Sequence, residues 1–197
     1  MDIIEMKVKA TLTEEMLGTA SNDPKIHEAY IASNAPDAPS LEEEVAALGA
    51  EEVFEKGKTV FPKQDGVPFL WDYQIKGYFK DTCGVLRKVK GTKSEGVKAY
   101  KKEIDGLVFI KERRIPIELS GPIGECQRPL RAQTAQGERI ALASSETVPA
   151  GSSITFTVQV MRKADLELVR EWLDFGVFRG IGQWRNSGKG RFTWTEV

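Results

Sequence analysis

Ile154, Phe156, Val158 and Val160 alternate without a break with Thr155, Thr157 and Gln159. A period of two fits a strand with one apolar and one polar face, and no other regular element. Directly behind it, Asp165 opens a segment in which Leu166, Val169, Trp172 and Leu173 recur every three or four residues. That is the stripe of a helix with one buried side, with Asp165 as its cap and Gly176 suited to a left-handed C-terminal cap. Such a strand and helix are stable only when the helix lies back across the sheet and other strands complete it.

The rest of the chain supplies those partners. Residues 3–12 alternate as a first strand. From Asp72, a second capping residue, Ile75, Phe79, Cys83 and Leu86 form a helical stripe, with Lys76, Lys80, Arg87 and Lys88 opposite. Residues 90–102 read as a loop with Lys and Gly, LVFIK (107–111) and RIPIEL (114–119) as a strand pair, and RIALASSE (139–146) as a strand entering the VPAG turn. RFTWT (191–195) closes the sequence as a last strand. The skeleton is βαββαβ, the order of a ferredoxin-like or RRM-like α+β domain spanning 1–197.

An insertion of about residues 18–66 follows the first strand. Residues 18–39 read as loop with a short helix near 25–31. Ser40 and Glu43 make a capping box for an acidic helix carrying Leu41, Val45 and Leu48, and residues 58–69 hold Pro62, Gly66 and Pro68, the chemistry of a loop. This part is strongly acidic: residues 1–60 carry 5 Lys/Arg against 13 Asp/Glu, whereas residues 61–197 carry 23 against 16. With a net charge of −1, nucleic-acid contact is expected to be local rather than a general coating.

Two cysteines and one histidine argue against a disulfide scaffold and equally against a His/Cys zinc centre. No apolar run reaches the ~20 residues of a membrane span, and the N-terminus lacks the pattern of a signal peptide. A reduced, cytoplasmic protein without cofactor or membrane contact is expected. Catalytic chemistry is sparse. His27 with Tyr30 and Lys25 is a thin general acid/base set, Cys83 sits on an apolar stripe, Cys126 falls in a glycine-containing loop, and Ser144-Ser145 has no histidine near it.

Two motifs carry binding chemistry. GIGQWRNSGKGRF (180–192) places Gly180, Gly182, Gly188 and Gly190 among Arg179, Arg185, Lys189 and Arg191 with no acidic residue. Glycines let backbone N–H groups converge on a phosphate, the cations add charge-assisted bonds, and Trp184 offers a stacking face. VPFLWDYQIKGYFKD (67–81) runs into a helix N-terminus, placing Lys76, Gly77 and Lys80 in its first turns, where anions are favoured.

Together these segments resemble the RAMP superfamily of CRISPR-associated RNA-binding proteins. PFLWDYQIKGYFKD is similar to its Pro-Gly-Ser-Ser and hydrophobic-Lys-Gly helix start, with Leu70-Trp71-Asp72-Tyr73 in place of the Pro-Gly-Ser-Ser element. GIGQWRNSGKGRF is similar to its C-terminal glycine-rich loop, TVPAGSSITFTVQV (147–160) to its turn and strand before the second helix, and TLTEEMLGTA (11–20) to its first-strand exit. Order and spacing are nearest the backbone subunit of type III effectors, in a small stand-alone form. The resemblance implies single-stranded RNA or a nucleotide as ligand, other effector subunits or copies of the chain as partners, and an RNA-binding rather than enzymatic role. It also admits a phage- or mobile-element-encoded anti-defence protein that occupies a defence complex or sequesters nucleotides. Target cleavage in the family implies an Asp after the first strand, for which Asp23 and then Asp37 are the positional matches.

Overall fold

The computed structural model describes residues 2–22, 57–134 and 137–197. His27, Asp23, Asp37, the short helix near 25–31 and the acidic helix of residues 40–55 lie outside them. The fold is mixed α and β, with two sheets and three α-helices among the described residues.

The principal sheet is antiparallel. β1 (Ile4–Leu12) lies between β12 (Phe192–Glu196) and β11 (Ser153–Val160); β8 (Arg114–Glu118), β6 (Val67–Trp71) and β5 (Lys63–Gln64) continue beyond β11. Register follows the alternation. Val8 stands opposite Phe156 and Met6 opposite Val158, so apolar residues of neighbouring strands share one face. On that face lie α1 (Asp72–Leu86) and α3 (Lys163–Asp174), which bury Phe79 and Cys83 from one helix and Val169 and Trp172 from the other. Tyr78 joins the two helices by donating its hydroxyl hydrogen to the Trp172 carbonyl at 2.7 Å.

LVFIK and RIPIEL do not pair with each other. β7 (Val108–Ile110) and β8 both pair with β11, as one interrupted strand whose intervening residues 111–113 bulge out. Glu112, inside the bulge, accepts bonds from the Thr157 N–H at 2.7 Å and its hydroxyl at 2.8 Å. The expected loop of residues 90–102 instead ends in α2 (Tyr100–Leu107), which buries Ile104. Residues 58–69 are also partly strand: β5 and β6 form a hairpin turning through Asp65 and Gly66, both at positive φ (51° and 81°), the geometry that an Asp-Gly pair adopts readily.

The second sheet was half visible in the sequence. β10 (Gly137–Val148) pairs along its length with β9 (Gly124–Thr134), a strand that holds Cys126 where a loop was expected. On its other side β10 meets β2 (Met16–Leu17) and, in parallel, β4 (Thr59–Val60), which pairs with β3 (Ala20–Ser21).

The expected caps differ. Trp71, not Asp72, occupies the N-cap of α1, and its N–H donates to Gln74 Oε1 at 2.8 Å. Asp165 lies within the first turn of α3, its buried carboxylate accepting from Arg162 Nη2 at 2.8 Å and Nε at 3.0 Å. Gly176 sits in a 3-10 turn (Phe175–Val177) rather than at positive φ. A Cβ there would stand 2.6 Å from the Phe192 ring.

Candidate nucleic-acid interface

α1 begins where β6 ends, with no residue between them. One face of its first three turns, Gln74, Gly77, Tyr78 and Asp81, looks toward the C-terminal loop. Gln74 links Trp71 to the first-strand exit by donating from Nε2 to Thr19 Oγ1 at 2.7 Å. A Cβ on Gly77 would touch nothing within 4 Å, so packing does not require glycine there. Above it opens a cleft of about 220 Å³ lined by Thr19, Gln74, Gly77, Tyr78, Gly182 and Arg185. A second, of about 210 Å³, is lined by Arg179, Trp184, Arg185 and Asn186. Arg185 belongs to both, so the two clefts adjoin.

The loop is folded tightly on itself. Ile181 donates its N–H to the Gly190 carbonyl at 3.0 Å, and the Gly190 N–H donates to the Glu15 carbonyl at 2.8 Å. A Cβ on Gly180 would lie 2.1 Å from the Lys189 carbonyl oxygen; one on Gly190, at φ +70°, would lie 1.9 Å from that of Ile181. Glycine at these two positions serves the loop's own crossing. Gly188 is buried against the Arg191 guanidinium, whereas Gly182 faces the cleft.

Asp81 organises the cations. It accepts from Arg179 Nε and, at 3.3 Å, from Arg179 Nη2, and its Oδ2 also accepts from Arg185 Nη1 at 2.9 Å. Arg179 Nη1 donates to Asn186 Oδ1 at 3.3 Å. One carboxylate thus fixes two guanidiniums and leaves a local charge of +1. Arg185 spends one of its five N–H donors on Asp81, and the others remain for a ligand. Trp184 stands beside this pair at φ 58°, a backbone region that costs a bulky residue ~1–2 kcal/mol. Its indole is 38% exposed, and Arg128 of β9 places its guanidinium 4.1 Å from the ring centre.

Arg179, Gly182, Trp184, Arg185 and Gly77 therefore come together, and other expected residues do not. Lys76 and Lys80 occupy a different face of α1, pointing at α2, where Lys80 pairs with Asp105 at 2.5 Å and Lys76 donates to the Asp105 carbonyl at 3.2 Å. The bond from Lys80 holds the Asp105 carboxyl below its ordinary range. Lys189 pairs with Glu15, which raises its pKa. The Arg191 Nε is buried under the loop without an acceptor. Thr19, Gln74, Asp81 and Arg128 escaped sequence reasoning. Of these, Asp81 carried a readable signal, since it falls one turn past Gly77 on the same helical face.

Away from the clefts, Cys83 is core and its thiol is pushed up by burial. Ser144 donates to Glu125 at 2.6 Å, and Ser145 bonds Thr59 at 2.6 Å. Among the described residues no three His, Cys, Asp or Glu side chains converge as a metal site would require, and no helix is long and apolar enough to cross a membrane.

No family model matches the sequence, and no curated protein does. Among solved structures the chain is similar to a subunit of the type III-B Cmr-beta complex bound to cognate target RNA. The TM-score is 0.54 and the identity 11%, over 98% of this chain and 59% of that one. It is similar to a subunit of a type IV-B CRISPR complex at TM-score 0.50 and 11% identity, over 98% and 90% of the two chains. Cmr6 from Pyrococcus furiosus matches at TM-score 0.47 and 11% identity, over 98% and 99%. This chain spans 59% of the length of the Cmr-beta subunit, and what it shares with the first two is the fold.

Proposed function

We propose that this protein binds single-stranded RNA along the groove from Thr19, Gln74 and Gly77, across Arg185, to Trp184. On this reading it is a RAMP-type subunit built on a ferredoxin-like βαββαβ unit, one domain over residues 1–197 with the segment of about 18–66 inserted. Support for the unit comes from the strand order β12-β1-β11-β8, since a βαββαβ chain puts its last strand beside its first and its second at the far side of its third. Support for the ligand comes from one observation above the rest: Asp81 anchors Arg179 and Arg185 where the two clefts meet. A pair of guanidiniums held in place, with a surplus of one charge, suits a phosphodiester, and an indole alongside suits its base. The subunits it resembles in fold come from a complex bound to target RNA and from a multi-subunit CRISPR complex, which favours RNA and other effector subunits as partners.

Fluorescence anisotropy with a labelled oligouridylate, titrated across salt, tests this. Binding at micromolar Kd or tighter in low salt is expected, with log Kobs falling by ~0.7 per phosphate contact for each unit of log salt. Arg185→Ala should weaken binding about tenfold and remove about one contact from that slope. Absence of binding to any RNA in low salt overturns the reading.

A further inference from the structure

Arg128 lies on β9, in the second sheet, yet its guanidinium reaches across to cover a face of Trp184 in the C-terminal loop. Its Nε and Nη1 are buried and have no acceptor. An arginine cannot shed its proton to relieve this, so the two N–H groups remain donors in want of an anion or carbonyl. Of the other cations around the loop, Arg179 and Arg185 share Asp81 and Lys189 has Glu15, while Arg191, packed against Gly188, leaves its Nε alone without an acceptor. Arg128 has no carboxylate among the described residues. Beside the same indole opens the 210 Å³ cleft lined by Arg179, Arg185 and Asn186.

We propose that Arg128 is a further ligand-binding residue of this site, and that Trp184 and Arg128 act as a pair: a nucleotide base stacks on Trp184 while Arg128 turns its unpartnered N–H groups to the adjoining phosphate. This rests on the RNA reading above. A guanidinium 4.1 Å from the indole centre occupies the position a stacked base would take, so the pair is an empty base site closed on itself. A base arriving there displaces the guanidinium, and the phosphate attached to that base supplies the missing acceptor. Trp184, at φ 58°, lines this cleft with the same ring that Arg128 covers. The specificity that follows is for a base joined to a phosphate, in preference to either alone.

Anisotropy with fluorescein-labelled oligouridylate, read on wild type, Arg128→Ala, Trp184→Ala and the double variant, tests the pair, together with the thermal midpoint of each protein without RNA. Arg128→Ala should weaken binding on the order of tenfold and lower the salt slope by ~0.7. The double variant should lose less than the product of the single losses, because each residue needs the other. Without RNA, Arg128→Ala should melt no lower than wild type, since it deletes two unsatisfied donors. A lower melting point with unchanged Kd and slope would make Arg128 a structural brace and overturn the inference. Should Arg128→Ala not fold, Arg128→Lys keeps the charge but not the fork. A severalfold loss is expected of it, and wild-type binding would refute the proposal. If wild type itself binds no RNA, it is the RNA reading that falls. If wild type binds and the Arg128 variants bind equally, only this inference does.

Discussion

Gly77 offers a test in which stability and binding move in opposite directions. It lies inside α1, where glycine costs about 1 kcal/mol relative to alanine because of the backbone freedom it loses. A Cβ at this position meets no atom within 4 Å, so Gly77→Ala adds no clash to offset that gain. For a chain of 197 residues, about 1 kcal/mol raises the melting point by about 2–4 °C. The same methyl group enters the floor of the 220 Å³ cleft, and Gly77→Leu projects much further into it. RNA affinity should therefore fall for alanine and fall further for leucine, while scanning calorimetry shows a more stable alanine variant. Gly106 supplies the control. It too lies in a helix with open space at its Cβ position, but in α2, away from both clefts, so Gly106→Ala should gain stability without losing affinity. If Gly77→Leu binds RNA as wild type does, the ligand does not pass over α1 and the groove has been traced wrongly.

Gly190→Ala should do the reverse of Gly77→Ala. Its Cβ would sit 1.9 Å from a carbonyl oxygen at φ +70°, so a loss above ~2 kcal/mol is expected, measured as a drop in the urea midpoint. Lys76→Ala and Lys80→Ala should change RNA affinity less than twofold by anisotropy, since both lysines are turned to Asp105. Glu125 is held at about 2 by bonds from Lys58, Ser144 and Gln127. Its depressed pKa means that its favourable interactions are complete above the ordinary carboxylate range and vanish as pH falls toward 2. Carbon-detected NMR titration should place its midpoint near 2, and Lys58→Ala should move it upward.

Elements were legible in the sequence in proportion to how cleanly one face is buried. β11, α1 and α3 alternate or stripe so regularly that their apolar residues can be read directly into the core. YKKEIDGL gave no such pattern because α2 buries only Ile104, and GECQRPLRAQT, with a proline and three charges, hardly looks like a strand although it pairs along almost all of β10. The bulge at 111–113 split one strand into what looked like a hairpin. At the site, residue types were legible and pairings were not. Arg179, Arg185 and Lys189 stand out as cations in a glycine-rich loop, but the carboxylates that hold them lie 98, 104 and 174 residues away. Spacing cannot reveal partners that only the folded chain brings near. Lys76 and Lys80 meet the same limit: proximity to a helix start says nothing of which way the helix is turned, and both lysines face Asp105.

The crossing of Gly180 and Gly190 sets an order of events during synthesis. The loop is fastened to Glu15, and the backbone carbonyl of Arg191 accepts from the N–H of Thr13 at 2.8 Å, so the first-strand exit and the last loop complete each other. Closing a contact over so long a stretch of chain is entropically slow and comes after local structure has formed. A nascent chain that has not yet emitted Arg191 already contains both large helices and five of the six strands that join β1 in the principal sheet, yet its loop is not fastened to the first-strand exit through Arg191. The proposed groove therefore waits on the loop and β12 meeting the first-strand exit, however early its helices form.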